Sequence, residues 1–297
     1  MKIFIGPDQR PENAYRRALV KAFVQDQLEL ACTLDEADGV VIIGDRKEAL
    51  ELARSVERDI ATFHLGAGAR TYGSRDDMYR EEISEICDYH LCETSMEVAR
   101  MSWSEGGAIR VGNLAADFLR DSNATVSSPP LPYFVLIYNP PTALSNSGVK
   151  QEISILSSVL SNYENNVMAF FPTEGEQYSN LICEELNRIP NLRWVSNELP
   201  EIFKSIVLNS AAFITNSSCG LTEFPCYKPH TTIINYGVRQ LGREIPRGVV
   251  SVNADGLVLR KAIDEREVPV WGESQYDMPG GALVAAQFIR LMMEQNA

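Results

Sequence analysis

The stretch Ile214–Pro225 reads ITNSSCGLTEFP, and its residue types are those that hold an anion. An apolar strand ends at Thr215. Asn216, Ser217 and Ser218 then make a polar turn, Gly220 permits close backbone approach, and a helix follows. Such a turn can aim N–H groups and hydroxyls at one spot, with the positive end of a helix dipole behind them, which suits a diphosphate. Glu223 falls in the first helical turn, where its carboxylate can accept hydrogen bonds from two ribose hydroxyls. Plain capping accounts for the same residues equally well, because Ser and Asn are common N-caps.

Three further segments carry charge past strand ends. Asn235–Arg247, NYGVRQLGREIPR, takes Arg239, Arg243 and Arg247 along a Gly-containing loop, suited either to clamping phosphate or to lying in solvent. Gly44-Asp45-Arg46 closes the strand Gly39–Ile43. His64–Arg80, HLGAGARTYGSRDDMYR, has three glycines, three arginines and two adjacent aspartates in a long loop leading into a helix. Polar, Gly-rich loops at strand ends are often binding loops, although Asp76 and Asp77 also suit a helix start.

These segments need a frame. Short apolar runs alternate with amphipathic stretches, which implies parallel sheets covered by helices. In the first part the runs Lys2–Ile5, Gly39–Ile43, Ala61–Leu65, Tyr89–Glu93 and Ile109–Val111 are predicted strands. Helices are predicted at Pro11–Val24, Lys47–Arg58, Met78–Cys87 and Met96–Ser104. Asp121–Pro132, DSNATVSSPPLP, has no period and reads as a linker. A second α/β unit follows. Its predicted strands are Tyr133–Tyr138, Val167–Phe171, Arg193–Val195, Ala212–Thr215 and Thr231–Asn235, and its predicted helices are Val149–Tyr163, Tyr178–Arg188, Pro200–Leu208 and Leu221–Pro225. Gly280–Met293 is a last amphipathic helix. The division is a reduced first domain (1–125), a second Rossmann-like domain (133–276), and a C-terminal helix (277–297) packing back on the first. Two doubly wound units in tandem place a ligand at the carboxyl ends of their strands, in a central cleft.

Composition narrows the function classes. The 297 residues carry a net charge of −13 with a pI near 4.8, which disfavours nucleic acid and anionic membrane surfaces. Six cysteines without a C-x-x-C pair and three histidines give no metal-ligand spacing, and the thiols are expected reduced. No run reaches transmembrane length, and MKIFIG is too short for a signal core, so a cytoplasmic protein is expected, with no metal or cofactor. His90, His230, Trp103, Trp194 and Trp271 are read as packing residues.

Taken together, the segments resemble the UDP-N-acetylglucosamine 2-epimerase family, especially its hydrolysing branch. The resemblance rests on GDRKE (Gly44–Glu48), HLGAGARTYG followed by DDMYR (Asp76–Arg80), CDYHLCETS (Cys87–Ser95) and VGNLAAD (Val111–Asp117). It rests above all on TNSSCGLTEFPCYKPHTTIINYGVRQLGR (Thr215–Arg243). QRPEN (Gln9–Asn13) and WGESQYDMPGGA (Trp271–Ala282) add weaker matches. The resemblance implies the GT-B type fold of many glycosyltransferases and a UDP-sugar ligand. Ser217, Ser218 and Gly220 would hold the phosphates and Glu223 the ribose. Arg239, Gly242 and Arg243 would close on the ligand, with Arg10, His64, Asn139 and Asn216 as further contacts. Asp45 and Asp76 or Asp77 would serve as acid and base, with Arg80 orienting the second. Dimerisation through the first domain is also implied.

The chain departs from that pattern in three places. A strand-helix portion between Val20 and Gly39 is missing. The carboxylate of the His-containing loop falls on Ala67 or nearby. The histidine after the first strand of the second domain falls on Asn139, which cannot shuttle a proton at neutral pH but can hydrogen-bond a phosphate or sugar oxygen. The nucleotide half of the pattern is retained and the catalytic half is thinned. Three functions follow from that: a divergent epimerase, a glycosyltransferase using a UDP-sugar donor, or a non-catalytic UDP-sugar-binding protein.

Overall fold

The computed structural model describes residues 1–8, 10, 13–122, 132–172, 178–196 and 198–296. In chain order the elements are β1 (Lys2–Gly6), α1 (Ala14–Gln25), β2 (Glu29–Leu30), β3 (Gly39–Ile43), α2 (Lys47–Ser55), β4 (Ala61–Leu65), α3 (Asp76–Ile86), β5 (Tyr89–Cys92), α4 (Ser95–Arg100), β6 (Ala108–Arg110) and α5 (Leu114–Leu119). There follow β7 (Tyr133–Ile137), α6 (Asn146–Leu160), β8 (Asn166–Phe170), α7 (Ser179–Leu186), β9 (Leu192–Val195), α8 (Pro200–Leu208), β10 (Ala212–Thr215), α9 (Cys219–Thr222), β11 (Thr232–Tyr236), β12 (Val249–Val252), α10 (Gly256–Asp264) and α11 (Gly281–Asn296). Most of the linker-like stretch, and Gln9, lie outside the described residues.

The chain divides into two compact Rossmann-like units. The first comprises Met1–Ala69, Asp76–Asp121 and Gln275–Ala297, and the second Arg70–Arg75 and Ser122–Ser274. In the first, six parallel strands run in the order β2-β1-β3-β4-β5-β6. Residues alternate between its faces, as a strand requires. Ile3, Ile5 and Val41 pack with α1, α5 and α11, while Phe4, Val40 and Ile42 pack with α2 and α3. Near-continuous apolar runs such as GVVII arise because both faces are covered. Asn13 starts α1 by accepting the Arg16 N–H at 3.1 Å, and a reciprocal Thr94–Glu97 capping box starts α4.

The second unit repeats the architecture with strand order β12-β11-β10-β7-β8-β9. Phe134, Leu136, Ile214 and Ile234 face α6, α7 and α10, and Val135, Phe213 and Ile233 face α8. Several features differ from the sequence-based expectation, among them α5, which is not among the predicted helices. The stretch between α1 and β3 holds a two-residue strand and a 3-10 turn at Leu34–Glu36, and β12 and α10 form after the arginine loop. β12 is an edge strand with Val250 and Ser251 exposed, so its buried period is too short to read. The helix expected at Leu221–Pro225 is a four-residue turn, α9, passing into a 3-10 turn at Phe224–Tyr227.

Candidate functional site

In the first unit the strand order reverses between β1 and β3, the place where doubly wound sheets bind ligands outside their carboxyl ends. The loop after β1 carries Arg10, whose Nε and Nη2 donate to the Asp8 carboxylate at 2.8 and 2.6 Å. That pairing, led by the Arg10 hydrogen bond, holds the Asp8 carboxyl down at about 2. The residue after Gly44, beyond β3, is Asp45. Its carboxylate pairs with Arg80 Nη2, and Arg80 Nη1 donates to Asp77 at 3.0 Å and to the Ala69 carbonyl at 3.3 Å. Arg80 is 2% exposed. One buried guanidinium thus fixes Asp45 and Asp77, which come from different elements. Asp76 sits beside Asp77 in the first turn of α3, where carboxylates meet the positive helix end.

His64 lies inside the sheet. Its Nε2 stands 3.0 Å from the Gly44 carbonyl and its Nδ1 2.9 Å from Ser84 Oγ. A carbonyl only accepts, so Nε2 carries the proton and Nδ1 accepts from the serine. Burial lowers the imidazole to about 3, so the ring is neutral. The sequence reading placed His64 against a ligand. In the structure both nitrogens are committed within the protein, and the ring instead fixes Gly44, the residue before Asp45.

A third carboxylate, Glu93, stands at the carboxyl end of β5. Its Oε1 accepts from Tyr15 Oη at 3.0 Å and from Asn113 Nδ2 at 2.8 Å, while Asn113 Oδ1 caps α5. Glu93 is therefore part of the scaffold joining α1, β5 and α5. Among the described residues no three His, Cys, Asp or Glu side chains gather as a metal ion would need.

The second unit reverses its strand order between β7 and β10. Asn139, beyond β7, and Asn216, beyond β10, meet there. Asn139 N–H donates to Asn216 Oδ1 at 2.7 Å, and Asn216 Nδ2 donates to the Asn139 carbonyl at 2.8 Å. Asn216 is fully buried, so its contribution is to lock the two strand ends together. Ser217 and Ser218 follow, half-buried. A Cβ on Gly220 would lie 2.4 Å from Thr215 Cγ2, so this glycine lets α9 close against β10. The N–H groups of Asn216, Ser217, Gly220 and Leu221 all find acceptors within the protein. A single turn also carries little dipole. Glu223 ends α9 beside Tyr227, whose hydroxyl donates to Oε1 at 3.4 Å. Burial raises the Glu223 carboxyl to about 7 against the opposing pull of Tyr227 and Lys204.

The arginine loop after β11 is held from several sides. Arg239 Nη1 and Gln240 Nε2 donate to the Asn216 carbonyl at 3.3 and 2.9 Å. Residues 70–75 pack on it as part of this unit. Tyr72 N–H donates to the Leu241 carbonyl at 2.8 Å, and Gly242, at φ +91°, lies under the Tyr72 ring. Gly73 passes so close that a Cβ would stand 2.2 Å from the Val238 carbonyl. Arg243 is half-buried on the same loop. The sequence reading missed Glu152 of α6, which accepts the Val238 N–H at 3.1 Å. The legible signal was a carboxylate in an otherwise apolar helical stripe with Val149, Ile153 and Leu156.

The sequence profile of the UDP-N-acetylglucosamine 2-epimerase family matches residues 18–267. The chain belongs to that family. Its relatives include the polysialic acid biosynthesis protein P7 of Escherichia coli, 26% identical over 247 residues, a match covering 76% of this chain and 61% of that protein. Another is the hydrolysing UDP-N,N'-diacetylbacillosamine 2-epimerase of Legionella pneumophila, 25% identical over 278 residues, covering 86% and 72%. The match to the E. coli relative thus spans less than two thirds of that protein's length. Among solved structures, a UDP-GlcNAc 2-epimerase from Neisseria meningitidis bound to UDP-GlcNAc superposes with a TM-score of 0.76 at 13% identity, covering 98% of this chain and all of that one. The Methanocaldococcus jannaschii UDP-GlcNAc 2-epimerase, in complex with UDP-GlcNAc and UDP, gives 0.75 at 13% identity, with the same coverage. These two share the fold. Among the described residues, no helix is long and apolar enough to cross a membrane.

Proposed function

We propose that this protein binds a UDP-sugar and eliminates UDP from it with loss of the proton at sugar C2. The observation that carries the reading is the single buried guanidinium of Arg80 holding Asp45 and Asp77 at the carboxyl edge of the first sheet. Two carboxylates fixed from one cation give a base and its partner in a defined geometry, which acid-base chemistry requires. In the reaction one of them takes the C2 proton as the C1–O bond to UDP breaks, leaving a C1=C2 double bond. Water or UDP then adds at C1, and a proton returns to C2. Ser217, Ser218, Arg239 and Arg243 hold the diphosphate, and Glu223 accepts the ribose hydroxyls. The membership of the chain in the epimerase family supports this assignment of roles.

A second reading, transfer of the sugar from UDP to an acceptor, is favoured by Asn139. Its backbone N–H and carbonyl are both tied to Asn216, and its amide holds no transferable proton, so that strand end suits holding a donor rather than shuttling protons. Proton NMR of UDP-GlcNAc with the protein in heavy water separates the readings. Deuterium at C2, or ManNAc appearing with free UDP, establishes elimination. UDP-GlcNAc that binds without exchange or product rules out elimination from that sugar nucleotide and leaves transfer, which labelled sugar appearing on an acceptor would then establish, or binding without turnover.

A further inference from the structure

Glu152 occupies a position on α6 where the helical period calls for an apolar side chain. Val149, Ile153 and Leu156 around it are fully buried, and Glu152 itself is 2% exposed. Its Oε1 accepts the Val238 N–H, and the Tyr236 hydroxyl donates to its backbone carbonyl at 2.8 Å. The fit is tight on the loop side. Gly237 has φ +83°, and a Cβ there would lie 1.5 Å from Glu152 Oε1, so the carboxyl fills the space that any other residue would need. Val238 begins the loop that carries Arg239 and Arg243, and Arg239 and Gln240 reach back to the Asn216 carbonyl.

We infer that Glu152 is a positioning residue that anchors the start of the arginine loop through the Val238 N–H, so that Arg239 and Arg243 meet a nucleoside diphosphate preformed. The inference rests on the proposal that this loop holds the diphosphate. A loop already ordered loses less conformational entropy on binding, which strengthens affinity without a new contact. Removing the acceptor leaves Val238 N–H without its partner and frees the loop at its root.

The test uses the full chain with Glu152→Met, which keeps the volume and removes the acceptor, and Glu152→Gln, which keeps an acceptor oxygen. Amide hydrogen exchange of the ligand-free protein is read over residues 238–243, and UDP binding is read by calorimetry. In E152M, loop exchange rises and UDP binds about tenfold more weakly, while peptides from β7 and β10 exchange as before. E152Q restores both to near wild type, which a general packing role would not do. Loop exchange in E152M equal to wild type overturns the anchor, and so does loosening in E152Q as large as in E152M. If the wild type binds no UDP, the nucleotide reading falls, and with it the claim that the loop is preformed for a diphosphate. The exchange data then still decide whether Glu152 anchors the loop. E152A serves as the second acceptor-free variant should E152M not fold.

Discussion

Asn139 and Asn216 hold each other in both directions across the point where the second sheet reverses its strand order, by bonds of 2.7 and 2.8 Å. Each satisfies a backbone or side-chain group of the other that would otherwise lie unpaired at a strand end. The Asn216 carbonyl in turn accepts from Arg239 and Gln240, so one residue ties β7, β10 and the arginine loop together.

Replacing Asn216 with Ala removes the acceptor for Asn139 N–H and the donor to its carbonyl. The expected loss of stability is about 2–4 kcal/mol, read by urea denaturation. An N216A protein as stable as wild type would mean that the paired amide is replaceable by water.

Neutralising the acids separates chemistry from binding. Asp45→Asn and Asp77→Asn keep the side-chain shape and an acceptor toward Arg80, and the base among them should show a loss of about 10²–10⁴ in deuterium exchange at C2. UDP affinity should stay within about twofold for either, since neither is assigned to the nucleotide. Arg80→Lys should lose activity as well, because an ammonium cannot span both carboxylates as a planar guanidinium does. Wild-type exchange in both D45N and D77N removes the acid-base assignment.

Gly220 is constrained by its neighbour. Gly220→Ala should destabilise the protein by about 1–3 kcal/mol, because the new methyl meets Thr215 Cγ2 at 2.4 Å. Thr215→Ser removes that methyl and keeps the hydroxyl that accepts Ser217 N–H, so the double variant should recover most of the loss. Simple additivity of the two losses in denaturation experiments would place the strain elsewhere.

Burial raises Glu152 from 4.5 to about 7, opposed by the Val238 N–H and the Tyr138 hydroxyl. A carboxyl raised on folding binds more protons folded than unfolded. Its contribution to stability is complete below pH 4.5 and is lost as pH rises through 7. His64 and His90, lowered to about 3 and about 4, act in the opposite sense: their stability is present above pH 6.5 and falls away in acid. The Glu152 effect is therefore read as a difference. Relative to wild type, E152Q should gain on the order of 3 kcal/mol in stability between pH 5 and pH 8. A stability difference that does not change with pH would show that Glu152 does not titrate in this range.

Local pattern decided much of this protein. Apolar runs such as GVVII and YFVLI, spaced by amphipathic stretches, determine strands, helices and a doubly wound class, because face burial repeats every 2 or 3.6 residues along the chain itself. The same short-range information marked NSSCG, GDR and the arginine loop as strand-end segments. What those residues touch depended on which strands become neighbours, and crossovers between distant elements set that. Sequence alone could not turn His64 inward onto Gly44, or bring Asp45 and Asp77 to one arginine. Nor could it place Tyr72 against Leu241, or set Glu152 under Val238, 86 positions away. A hydrogen bond is specified by geometry of a few tenths of an ångström, and only the packed tertiary structure supplies that to residues so far apart in the chain.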